Sequence, residues 1–139
     1  MDCLIEGPVG EKVLTGLIAE LGKETSTGGH SLFLGQVRAD VVNGKTVKAI
    51  EYSAYGKMVN AEAEKIMVEI MEEFDDIESM EIIHSSGIVM AGEISLLILV
   101  SAGHRQQATE ACTKTLELVK ERLPIWKKEI FQDGTHEWK

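Results

Sequence analysis

The run GEISLLILVSAG, from Gly92 to Gly103, is the strongest constraint on how this chain folds. Its apolar stretch is strand-sized and falls well short of the roughly 18 residues that suggest a membrane span. Leu96 to Val100 are apolar without alternation, so the strand is expected to be buried on both faces. RQQATEACTKTLELVKERL follows and reads as a long helix. Ala108, Ala111, Cys112, Thr115, Leu116 and Val119 form its inner stripe, and Pro124 ends it.

The remaining elements follow from period and punctuation. PVGEKVLTGLIAELG reads as a helix with Val13, Leu14, Leu17, Ile18 and Leu21 on one face and Gly22 as its stop. HSLFLGQVRA is strand-like, and Gly35 suggests a bulge or a close backbone approach. Asn43-Gly44 signals a turn between two extended runs, the second being VKAIEYSAY. NAEAEKIMVEIMEEF repeats Ala63, Ile66, Met67, Ile70 and Phe74 at helical spacing, with its glutamates on a solvated face. SMEIIHSSG is expected to be a short strand ending near His84, and FQDGTHEWK a terminal turn or short strand. Strands in pairs with helices between them argue for an α+β fold. Strand order does not follow.

At 139 residues the chain suits a single domain spanning residues 1–139. Residues 1–100 carry 7 Lys/Arg against 17 Asp/Glu, and residues 101–139 carry 7 against 6. The formal charge of −9 disfavours nucleic-acid binding, which needs a broad positive surface. A small anion needs only a local cationic cluster. The start, MDCLIEGPVGEK, lacks the basic region and apolar run of a secretory signal, so a cytoplasmic protein is expected, with no membrane partner. Cys3 and Cys112 form no CxxC and no zinc-site spacing, so neither a disulfide framework nor a metal site is expected. Cys112 lies on the apolar face of its helix and reads as a core cysteine rather than a nucleophile.

Three places concentrate unusual side chains. Arg38 follows a strand in GQVRAD. His104 and Arg105 stand between the apolar strand and the last helix, where a helix N-terminus attracts anions. Lys120, Arg122, Lys127 and Lys128 surround Pro124-Ile125-Trp126. Each has a plainer reading. Arg38 alone reads as a surface arginine, His104 as a helix cap, Lys120 as a residue suited to the helix dipole, and Lys127-Lys128 as a solvated pair beside a core tryptophan. Periodicity does not decide whether the three places meet.

Five segments nonetheless occur together and in order: FLGQVR, IEYSAYGKM, IIHSSG, GEISLLILVSAGHRQQATEAC and LVKERLPIWKKEIFQDG. With them the chain resembles the family of large, catalytic subunits of molybdopterin synthase, the MoaE family. The most specific signals are the His-Arg pair before a helix and a Lys seven residues before the Lys of a Pro-aliphatic-Trp-Lys turn.

The resemblance implies a hammerhead-like mixed or antiparallel sheet with packed helices. It implies a sulfurtransferase that converts cyclic pyranopterin monophosphate (precursor Z) into molybdopterin. The sulfur comes from a small ubiquitin-like subunit whose C-terminal Gly-Gly carries a thiocarboxylate. The assembly implied is a homodimer with one small subunit at each end, a heterotetramer with sites near the dimer boundary. No cofactor or metal acts at this step. By position, Lys120 and Lys127 match the catalytic lysines, Lys120 nearer the thiocarboxylate tail and Lys127 nearer the pterin. Gln36, Val37, Lys128 and Glu129 match pocket positions, and Arg38, His104 and Arg105 match cations for the two anions. Ile125 and Trp126 are expected to anchor the turn in apolar surroundings.

The chain departs from the family pattern at two places. Ser85 stands where many members have arginine, and Thr109 where phenylalanine is common. It also stops sooner after DGTHEWK than some relatives. The reading from another class is a non-catalytic scaffold or pterin carrier with the same fold. Retention of Arg38, His104, Arg105, Lys120 and Lys127 together argues against it.

Overall fold

The fold is taken from a computed structural model that describes residues 2–139. In chain order the elements are β1 (Leu4–Glu6), α1 (Glu11–Leu21), β2 (Gly29–Gln36), β3 (Val41–Val42), β4 (Lys45–Ala54), α2 (Gly56–Glu73), β5 (Ile77–Met90), β6 (Ile94–Ala102), α3 (Arg105–Arg122), β7 (Ile125–Phe131) and β8 (His136–Trp138). The α+β reading holds. The strands form one eight-stranded sheet in the order β2-β6-β5-β4-β7-β8, with β1 beside β5 and β3 beside β4. All pairings are antiparallel except the parallel β1–β5 contact.

The apolar strand β6 lies inside the sheet, between β2 and β5. Its even positions Leu96, Ile98 and Val100 pack with Ile66 and Ile70 of α2 and Ala111, Cys112 and Val119 of α3. Its odd positions Leu97 and Leu99 face the other way, against Val13, Leu14, Leu17 and Leu21 of α1. Burial on both faces explains why the strand shows no alternation. Each fully buried aliphatic side chain here contributes about 1.5–3 kcal/mol relative to exposure. Ile18 was expected on the inner face of α1 but is 56% exposed, at the edge of that narrow stripe.

β5 is longer than its sequence suggested. It continues past His84 to Met90. Its first half, Ile77 to His84, pairs with β6, and its last residues, Gly87 to Met90, pair with β4. Gly87 has φ +79 at the changeover, and a Cβ there would stand 2.3 Å from Glu6 Oε1. The positive φ favours glycine, and any side chain there would also displace the Glu6 carboxylate. Asn43 and Gly44 have φ 52 and 80, as the tight β3–β4 hairpin requires. The register shift expected at Gly35 occurs between Gly35 and Gln36.

The C-terminal segment differs from expectation. No turn is built around Ile125-Trp126. The chain leaves α3 at Leu123 and enters β7 at Ile125, which lies between β4 and β8. Trp126 is not buried. It is 50% exposed and meets Tyr55 edge-on at 6.4 Å between ring centroids. A strand alternates its side chains, and Ile125 takes the core-facing position, so its neighbour Trp126 must face outward. Cys112 is a buried free thiol, as expected for a core cysteine, and Cys3 is buried and free as well.

Candidate functional site

A cavity of about 410 Å³ opens where β5 leaves β6 for β4. Its floor comes from Ile50 and Tyr52 of β4, His84 of β5 and Leu96 of β6. Phe33 to Gln36 of β2, with Val37 and Arg38 just after it, form one wall. Val119 and Lys120 at the end of α3, with Leu123, form another. Ile125, Lys127 and Glu129 of β7 and the tail residue Lys139 complete it.

Cross-strand register explains which lysine enters. Ile50 pairs with Glu129, Tyr52 with Lys127 and Ala54 with Ile125 across β4–β7. Directly opposed residues share a face, so Lys127 and Glu129 join Tyr52 on the cavity side. Lys128 points to the opposite face. Its Nζ lies 3.2 Å from Glu51 and 5.4 Å from the centre of the Trp138 ring. Lys128 was expected in the substrate pocket, and the two-residue period of the strand excludes it from this cavity.

His104 and Arg105 also stand apart. They sit at the first residues of α3, whereas Lys120 is near its end. Fifteen residues at 1.5 Å per residue put roughly 22 Å of helix between Arg105 and Lys120. His104 occupies the N-cap position without a side-chain cap bond. Its Nδ1 lies 2.9 Å from Asp76 Oδ2, and its side chain is 87% exposed. Within one chain, therefore, Gln36, Val37, Arg38, Lys120, Lys127 and Glu129 converge, while Lys128, His104 and Arg105 do not. Arg122 belongs to neither place. It ties α3 to α2 through Glu62, at 2.8 Å, and Glu69.

The electrostatics of the cavity are uneven. Burial holds the Lys127 amine below the ordinary lysine range, and the charges of Lys120 and Lys139 push it further down. Glu129 is buried, with Oε2 3.8 Å from the Lys139 ammonium. Arg38 is exposed at the rim and pairs with Asp40 at 3.2 Å. His84 is pushed down to about 4, first by burial and then by Lys127 and Lys120, against the raising effect of its bond to the Ser85 carbonyl. Ser85 itself is fully buried, and its Oγ has no partner among the described residues.

Tyr52, His84 and Lys139 were not singled out by sequence reasoning. Their signal was weak. Tyr52 and His84 look like core residues of alternating strands, and Lys139 reaches the cavity only because its backbone N–H bonds the Lys127 carbonyl at 2.9 Å. Among the described residues, no group of three or more His, Cys, Asp or Glu is placed to hold a metal.

Fold and cavity define a class: a helix-backed open sheet with a half-buried, cation-rich cleft at the point where the sheet divides. The family model described as MoaE protein matches residues 10–122, and the chain belongs to that family. Among relatives, the molybdopterin synthase catalytic subunit of Dictyostelium discoideum is 41% identical over 118 residues, covering 84% of this chain and 74% of that one. The subunit of the same name from Pyrococcus abyssi is 39% identical over 114 residues, covering 82% and 76%. The crystal structure of molybdopterin synthase from Staphylococcus aureus is similar with a TM-score of 0.85 and 30% identity, covering 99% of this chain and 96% of that one. A protein–protein complex of subunits 1 and 2 of molybdopterin-converting factor from Helicobacter pylori has a TM-score of 0.81 at 21% identity, covering 97% and 87%, a likeness of fold alone.

Proposed function

We propose that this chain is the catalytic subunit of a molybdopterin synthase. In this reading it transfers sulfur from the C-terminal thiocarboxylate of a small ubiquitin-like subunit to cyclic pyranopterin monophosphate, building the dithiolene of molybdopterin. The observation that carries the reading is the convergence of Lys120 and Lys127, from α3 and β7, on one cavity with Arg38 at its rim. Both reactants are anions, and their encounter needs fixed cations in a partly desolvated site. Arg38 offers a planar fork to phosphate oxygens. Lys120, exposed at the mouth, is placed to meet the incoming tail. Lys127, deeper and with a lowered proton affinity, is suited to move protons or assist addition at the substrate carbon.

The reading includes a second copy of the chain. His104 and Arg105 are too far from their own cavity to serve it, and the reading assigns them to the cavity of a two-fold partner. Lys128 lies outside its own chain's cavity, and the reading gives it no contact with substrate there. The cytoplasm is the compartment proposed, because both buried cysteines are unpaired thiols. No helix among the described residues is long and apolar enough to cross a membrane.

The test is a turnover assay with thiocarboxylated small subunit and precursor Z, reading molybdopterin by fluorescence of its oxidised form. Dithiolene formation by the wild type, lost in Lys120→Ala and Lys127→Ala, is the expected result. Near-normal product from both variants would falsify the lysine assignment. Partner binding without product in the wild type would instead make the chain a scaffold.

A further inference from the structure

Among the described residues His84 is the one imidazole that lines the cavity, and the reading above gives it no task. It is only 7% exposed. Its ring stands edge-on to Tyr52, 5.0 Å between centroids and 79° between planes. Tyr52 is held in turn by its hydroxyl, which donates to Ser95 Oγ at 3.0 Å. The ring therefore has a set orientation.

Its tautomer is set as well. Nδ1 lies 2.8 Å from the Ser85 backbone carbonyl. A carbonyl only accepts, so Nδ1 carries the hydrogen. In the neutral ring Nε2 then presents a lone pair. Among the described residues no protein donor bonds Nε2. Burial beside Lys120 and Lys127 keeps the ring uncharged at neutral pH.

Most of the polar groups around it recognise something different; the Gln36 amide and the Asp40 carboxylate, which pairs with Arg38, are further acceptors on the wall of the cavity. Lys120, Lys139 and Arg38 only donate, and they suit phosphate and thiocarboxylate. The Glu129 carboxylate faces Lys139. Tyr52 spends its hydroxyl hydrogen on Ser95. A pterin also carries ring and exocyclic N–H groups, which these cations cannot accept. Within the cavity, Nε2 of His84 is a neutral acceptor that no donor of the described residues occupies.

We propose that His84 is a substrate-binding residue whose Nε2 accepts a hydrogen bond from an N–H of the bound pterin and so fixes the heterocycle relative to Lys127. This rests on the synthase reading and deepens it, because it assigns recognition of the heterocycle rather than of the phosphate.

Two variants separate the roles of the two ring nitrogens. His84→Asn retains a donor near Nδ1 for the Ser85 carbonyl and deletes the acceptor. His84→Gln extends a carbonyl oxygen to about the place of Nε2. The expected result is a KM for cyclic pyranopterin monophosphate raised about tenfold in His84→Asn, with kcat changed less and small-subunit affinity unchanged. His84→Gln should recover most of the loss. A KM within about twofold of wild type in His84→Asn overturns the proposal. So does an equal loss of kcat and thermal stability in both variants, which is the mark of a packing role.

Nitrogen NMR of the wild type labelled at histidine tests the same point without a variant. Nε2 of His84 should resonate as an unprotonated nitrogen at neutral pH and move when cyclic pyranopterin monophosphate is added. A protonated Nε2, or a signal indifferent to the compound, overturns the proposal. Failure of the wild type to make any dithiolene would overturn the synthase reading itself, whereas a competent wild type with an unaffected His84→Asn overturns only the role of His84.

Discussion

Tyr52 and Lys127 stand directly opposite each other across the β4–β7 ladder, and that pairing carries both into the cavity. One step along the same strand, Lys128 is opposed to Glu51 on the outer face. Two adjacent lysines of one charge thus have unrelated surroundings, one half-buried among cations and the other in an ion pair beside Trp138.

The first prediction follows from that division. Lys127→Ala should lower kcat for dithiolene formation by about 100-fold or more, the usual scale for loss of a proton-transferring group. Lys128→Ala should stay within about twofold of wild type, because its side chain does not reach the cavity. Single-turnover assays of the two variants side by side check the pair. A larger loss in Lys128→Ala would show that the outer face takes part.

Lys127 also sets a pH dependence. Its amine is held below its ordinary value of 10.5 by burial and by neighbouring cations. If the free amine is the working form, activity rises with pH and reaches its plateau below that value. Lys127→Arg keeps the charge but cannot deprotonate in this range. It should bind substrate and fail to turn it over, with the plateau abolished. Rate–pH profiles of the two proteins decide this.

His84 predicts an acid weakness of the fold. Its folded-state value, about 4, lies below the ordinary 6.5. The unfolded chain therefore binds the proton more readily between those values, and stability falls as pH drops through that window. The loss should approach roughly 3 kcal/mol by the lower end and be absent above the ordinary value. Urea unfolding at neutral and mildly acid pH measures it. In His84→Asn the part of the pH slope that belongs to the imidazole should vanish.

The distance from Arg105 to Lys120 predicts complementation between copies. Arg105→Ala and Lys120→Ala homodimers should both be impaired. Subunits mixed at random form hetero-pairs in which one of two sites is intact, so activity should return to about one quarter of wild type. Mixing purified variants under exchange conditions and assaying turnover checks this. No recovery would place Arg105 and Lys120 in the same chain's site or remove Arg105 from the site altogether.

The core strand supplies a stability prediction. Leu97 is fully buried between α1 and the sheet. Leu97→Ala should cost about 2–5 kcal/mol, the range for emptying a packed leucine site. Denaturant unfolding with an unchanged m-value reads it.

The amino-acid sequence by itself determined the helices, because apolar residues at Ala63, Ile66 and Ile70, or at Ala108, Ala111, Cys112 and Val119, recur at the period of a helix. It determined β6, whose apolar run has no surface face, and the Asn43-Gly44 turn. The family match drew Arg38, Lys120 and Lys127 out of otherwise ordinary charged residues. Tertiary structure alone decided the rest. β5 reads as a short strand ending near His84 because Ser85, Ser86 and Gly87 break its apolar pattern, and only pairing with β6 and then β4 carries it on to Met90. β7 reads as a turn because Lys127, Lys128 and Glu129 hide its alternation. Which of two adjacent lysines enters a cavity depends on register with β4, a contact between residues some seventy-five positions apart. Hydrophobic period is a local property of the chain, whereas strand order, register and the meeting of helix ends with strand faces are set by distant segments.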